Sequence, residues 1–102
     1  RGVKVSVALD YFTAKGASKK AALYLQEKGI EVLVSRGQQL LHHKWALIDS
    51  SIFIMGSTNW TEAAFKKNHD CLLFLYHLSY GQQKYLRKLW NTLSLECEPL
   101  IN

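Results

Sequence analysis

His42, Lys44, Asp49, Gly56, Ser57 and Asn59 are the residues of this chain whose types and spacing add up to chemistry: His-x-Lys, four residues, Asp, six residues, Gly-Ser-x-Asn. If residues 41–48 form a strand, alternate side chains share a face, so His42 and Lys44 project together ~6.5–7 Å apart. His43 then points the other way and could not share a metal with His42. Ser57 and Asn59 fall at an expected strand-to-helix turn, where unpaired backbone N–H groups and the helix dipole favour an anion. A phosphate would fit between the two sets.

The whole pattern resembles the signature of the phospholipase D superfamily, and the resemblance extends beyond it. Arg1-Gly2-Val3-Lys4-Val5 looks like the start of a strand in the small single-motif bacterial nucleases of that superfamily, and Asn68-x-Asp70 stands where they carry Asn-x-Glu. The resemblance implies an α/β fold, a mixed β-sheet flanked by helices, and a phosphodiesterase that uses no metal and no cofactor. It implies that His42 attacks phosphorus to form a phosphohistidine, while a second histidine from another motif copy protonates the leaving oxygen. Lys44, Ser57 and Asn59 would hold the non-bridging oxygens. Asp70, one methylene shorter than the family's Glu, would accept a hydrogen bond from the far nitrogen of His42 and fix its tautomer. Asp49 belongs to the catalytic signature but lies on the opposite parity from His42, and its expected role is an ion pair or turn that braces the fold.

One motif copy describes half of such a site. The simplest source of the other half is an identical subunit across a two-fold axis, and the alternative is a second motif-bearing segment of a longer polypeptide. The family domain begins with a strand and helix that have no counterpart ahead of Arg1, so residues 1–102 are expected to be its C-terminal two-thirds, incomplete at the N-terminus.

The elements that must position these residues follow from periodicity. Residues 3–9 alternate as a strand ending at Asp10, and residues 11–16 read as a loop. Ser18 can cap a helix that Gly29 ends, and residues 30–34 form a second strand, which together make a parallel crossover unit. After a flexible connection at 35–39, strands at 41–48 and 52–55 form a hairpin around Asp49-Ser50-Ser51. Asn59 and Glu62 have the spacing of a helix cap and its partner, with that helix running to about residue 68. Residues 71–76 suit a strand buried on both faces. From Gly81, Tyr85, Leu86, Leu89, Trp90 and Leu93 give one apolar helical stripe, which Glu98-Pro99 ends.

Thirteen Lys and Arg against eight Asp and Glu give the 102-residue chain a net charge of +5. That charge favours anionic partners, with nucleic acid leading and anionic phospholipid the alternative. A non-catalytic nucleic-acid-binding fragment is the reading from another class. Lys66 and Lys67 follow the expected phosphate turn by one helix and are candidates for tracking a nucleic-acid backbone. Lys19 and Lys20 read as a solvated face. Cys71 and Cys97 match no zinc, redox or disulfide spacing and read as ordinary thiols. His43, His69 and His77 read as packed or solvated. Trp45, Trp60 and Trp90 read as core or subunit-contact residues, and Tyr11 and Phe12 as core residues. No apolar run reaches the length of a membrane span.

Overall fold

A computed structural model describes residues 2–37, 41–56 and 71–100. They fall into two compact units, Arg1–His42 with Asn91–Asn102, and His43–Trp90. Ser57, Asn59, Trp60, Lys66, Lys67, His69 and Asp70, and the helix expected after Asn59, lie outside the described residues.

The first unit contains a mixed three-stranded sheet in the order β1-β2-β6, with β1 at Ser6–Leu9, β2 at Glu31–Ser35 and β6 at Cys97–Pro99. β1 and β2 are parallel, with Val7 opposite Val32 and Leu9 opposite Val34. Their connection carries two helices, α1 at Tyr11–Lys15 and α2 at Lys19–Glu27. β2 is central, and its Val32, Leu33 and Val34 are buried in succession, as expected of a strand covered on both faces. Ala14 of α1 and Ala22 of α2 are buried as well, their small side chains allowing close approach. Gly29 follows α2 at φ +83°, a left-handed conformation that glycine adopts without steric cost.

Three expectations change here. Residues 11–16 are largely helical, because the carboxylate of Asp10 accepts the N–H groups of Phe12 and Thr13 and so caps a turn that the apolar pattern does not reveal. Tyr11 is half-buried in α1, whereas Phe12 is exposed and leaves the expected core. Glu98-Pro99 does more than stop a helix: it belongs to β6, antiparallel to β2, with Pro99 opposite Leu33. Proline is tolerated there because β6 is an edge strand. Cys97 is buried in β6, and burial, reinforced by the neighbouring Glu96 charge and partly offset by Arg36, pushes its thiol pKa up.

The second unit contains an antiparallel meander, β3 at Trp45–Ile48, β4 at Ile52–Gly56 and β5 at Leu72–Leu75. Helix α3, Tyr80–Leu95, begins in it. Its start is fixed by a reciprocal cap that the sequence reading passed over: Ser79 N–H donates to Gln82 Oε1 at 2.8 Å, and Gln82 N–H donates to Ser79 Oγ at 3.1 Å. Phe53, Leu78 and Leu86 form the core, with Trp45, Leu47 and Leu89 packed against them. Trp45 lies 5.6 Å from the Phe53 ring and edge-on to Trp90 at 6.0 Å, so both tryptophans serve this core. Tyr85 departs from the expected stripe and is exposed. β5 also differs from expectation: Leu73, Phe74 and Leu75 are exposed, so an apolar run that suits full burial here lies at the edge of its sheet.

At Gly56, the last residue of β4, an added Cβ would run into the Cys71 carbonyl oxygen and lie 3.0 Å from Leu72 Cα. Only a residue without a side chain lets β4 and β5 approach this closely. Gly81, in the first turn of α3, faces open space. Gly56→Ala should therefore lower stability by about 2 kcal/mol, whereas Gly81→Ala should raise it by about 0.5–1 kcal/mol. Urea unfolding of both variants checks the pair.

Candidate functional site

Asp10 is the residue from which the approach to His42 is built. It ends β1, is 7% exposed, and gathers four hydrogen bonds: from Phe12 N–H, from Thr13 N–H and hydroxyl, and from Leu41 N–H at 2.9 Å. One oxygen caps α1 while the other holds the residue immediately before His42. Burial pushes the Asp10 carboxyl up, but the Leu41, Thr13 and Phe12 hydrogen bonds outweigh it and hold the pKa below the ordinary carboxylate value. From the sequence alone Asp10 reads as the end of a strand. An Asp followed by residues able to form a first helical turn was the signal available.

The strand expected from residue 41 is shorter in the structure. The Leu41 N–H is given to a side chain rather than to a neighbouring strand, and β3 begins only at Trp45. His42 and Lys44 thus precede the strand, so strand alternation does not put their side chains on one face. His42 is exposed and belongs to the first unit; Lys44 is half-buried and belongs to the second.

His43 has a defined packing role. Its Nδ1 accepts the indole N–H of Trp45 at 2.9 Å, which ties it to the aromatic group around Phe53. His77, exposed at φ +54°, lies at the bend between β5 and α3.

Asp49 sits at the tip of the β3–β4 hairpin. Asp49 and Ser50 both take left-handed φ, +53° and +55°, and Ser51 N–H donates to Ile48 carbonyl oxygen at 3.0 Å. Turns of this hand match the twist of the flanking strands, and Asp tolerates left-handed backbone better than most residues. Ser51 carbonyl oxygen accepts Leu78 N–H at 3.1 Å, so the tip is also fastened to the segment that leads into α3. This conformation provides a structural reason for Asp49. Lys44 lies just before β3, the first strand of that hairpin. Gly56, the close contact between β4 and β5, is the residue from which the chain proceeds to Ser57 and Asn59.

Because the Asp10 pKa is lowered on folding, its contribution is complete above the ordinary value of 3.8 and is lost as pH falls through the lower folded value. Asp10→Asn should cost about 1–2 kcal/mol at neutral pH, and the gap to the parent should narrow in urea melts taken below about pH 4. At the hairpin tip, Asp49→Gly should preserve stability while Asp49→Ala loses about 1 kcal/mol, since alanine resists left-handed φ. Equal losses in the two melts would show that the Asp49 side chain, not its backbone conformation, is what matters.

Residues 1–92 match the family model described as cardiolipin synthase, PLD-like domain. The chain is similar to the mitochondrial cardiolipin hydrolase of Mus musculus, 33% identical over 82 residues that cover 78% of this chain and 36% of the relative. It is similar to a phospholipase D of Rickettsia typhi, 35% identical over 97 residues that cover 90% of this chain and 47% of the relative. It therefore spans about a third to a half of the length of these curated relatives. Among solved structures it resembles Nuc of Salmonella typhimurium, a phospholipase D family member, with a TM-score of 0.86 at 22% identity over 99% of this chain and 66% of that one. That likeness establishes the α/β fold expected from the sequence.

Proposed function

Because this chain belongs to the phospholipase D-like family, we propose that it carries the nucleophilic half of a phosphodiesterase active site, with His42 as the attacking residue. The observation that carries the reading is the intact His-x-Lys, Asp, Gly-Ser-x-Asn pattern on a chain that the family model matches over residues 1–92. The exposure of His42, next to a residue anchored on Asp10, agrees with it. A ring nitrogen of His42 forms the bond to phosphorus as the bond to the leaving oxygen breaks, and a second histidine gives that oxygen its proton. A water molecule, losing its proton to the same second histidine, then attacks the phosphohistidine. This step releases a phosphomonoester and restores His42.

Lys44 supplies a positive charge to the non-bridging oxygens, and Ser57 and Asn59 supply hydrogen bonds. Asp70 orients His42 through its far nitrogen. The second histidine is the His42 of an identical subunit, which makes the working unit a homodimer, or else it comes from a second motif-bearing segment. Residues 1–102 are the motif-bearing part of one domain.

Nucleic acid is the leading substrate, cleaved in DNA or RNA, supported by the net charge of +5 and by the basic pair Lys66 and Lys67, which follow the expected phosphate turn in sequence. Lipid phosphodiesters are the second reading, favoured by relatives that bear the names cardiolipin hydrolase and phospholipase D. The chemistry at phosphorus is common to both.

A panel of single-stranded DNA, duplex DNA, RNA and cardiolipin, assayed with EDTA present, tests the proposal. The parent should cleave one class, and His42→Asn should lose at least about a thousandfold, since the covalent route is gone. Acid-labile phosphate should be trapped on the parent alone. Parent activity that disappears with EDTA, or His42→Asn turnover equal to the parent, would overturn the mechanism. Full activity from a sedimenting monomer would overturn the shared-site dimer.

A further inference from the structure

The connection that leads from β2 to His42 is held at its far end by Asp10, which accepts the Leu41 N–H. Its near end meets Tyr11, the next residue of the same helical turn. Tyr11 N–H donates to Oγ of Ser35, the last residue of β2, at 2.8 Å. Two residues further on, the Tyr11 ring packs against Gly37, where an added Cβ would stand 2.9 Å from Cδ1 and 3.0 Å from Cγ. Gly37 has φ +84°, so both its backbone conformation and the ring beside it call for a residue without a side chain.

Tyr11 is itself braced. Phe12 meets its ring edge-on at 5.0 Å, and Lys15 donates from Nζ to its hydroxyl oxygen at 2.5 Å, with the ammonium 4.1 Å from the ring centroid. The ring is only half-buried, and the buried side chains of this unit are others: Ala14, Ala22, Val32, Leu33 and Val34 among them. Gly37 lies beyond the end of β2. A half-buried ring packed on a glycine outside the sheet does little to hold the sheet together, and instead sets the path of the chain that leaves it.

We propose that Tyr11 is a positioning residue for His42. Its ring seats the connection at Gly37 and Asp10 seats it at Leu41, so the first turn of α1 holds both ends of the segment that delivers the nucleophile. The inference rests on the reading of His42 as the attacking residue, and adds to it a side chain that acts through the backbone. A reacting group displaced by ~1 Å can lose about a hundredfold in rate. Freeing one end of the segment therefore shows in turnover and not in substrate affinity.

Steady-state kinetics on the substrate class that the panel identifies, joined to amide hydrogen exchange on the free chain, tests it. Tyr11→Ala should lower kcat at least about tenfold while KM stays within about twofold. Tyr11→Phe keeps the ring and should turn over within about twofold of the parent. Gly37→Ala drives a Cβ into the ring and should be slow as well. Combined with Tyr11→Ala it should be no slower than the slower single variant, because the clash is gone. Val32→Ala, which opens a cavity in the buried part of β2, should lower the melting temperature at least as far as Tyr11→Ala, yet keep kcat well below that temperature. In the free chain, Tyr11→Ala should speed exchange of the Leu41 amide at least about tenfold more than that of Leu33 in the middle of β2. Equal acceleration at the two amides, parent-like kcat in Tyr11→Ala, a loss confined to KM, or Tyr11→Phe as slow as Tyr11→Ala would each overturn the proposal. His42→Asn turnover equal to the parent would sink the phosphodiesterase mechanism separately, and exchange at Leu41 would still decide whether Tyr11 seats the segment.

Discussion

A buried carboxylate must be satisfied by hydrogen bonds, and Asp10 is satisfied by donors from two distant parts of the chain. Its bonds to Phe12 and Thr13 begin a helix directly after β1, and its bond to Leu41 brings in a segment thirty-one residues away. The charge cannot be left unpaired without a cost of a few kcal/mol. The end of β1, the start of α1 and the backbone before His42 are therefore fixed by one group. Placement of the candidate nucleophile is a consequence of the crossover unit and not of the strand that follows it.

The second unit relies on a different constraint, the close approach of backbones. Gly56 lets β4 reach the chain at Cys71 and Leu72, and the left-handed pair Asp49-Ser50 turns β3 onto β4. Trp45, Phe53 and Leu86 then fill one side of the meander. Lys44 precedes β3, Asp49 follows it and Gly56 ends β4, and at Asp49 and Gly56 the local backbone restricts what residue can be present. A motif can be read as chemistry at some positions and as covalent geometry at others, and Asp49 and Gly56 have sufficient structural reasons for their identity.

The surface carries a further lesson about apolar runs. In β2, three successive buried residues mark a strand covered on both faces, whereas a similar run in β5 is exposed at a sheet edge. Composition is alike and environment opposite.

The sequence by itself determined the spacing of His42, Lys44, Asp49, Gly56, Ser57 and Asn59, the α/β class, the crossover of two parallel strands, the hairpin around Asp49 and the long final helix. These depend on local periodicity and on residue types at short separation, which a linear reading captures. Tertiary structure decided what depends on distant partners: that Leu41 leaves the strand to bind the Asp10 carboxylate, that Cys97–Pro99 pairs with β2, and that β5 and Tyr85 face outward. Each of these turns on which group supplies a hydrogen bond or covers an apolar face, and that partner lies tens of residues away, where periodicity carries no signal.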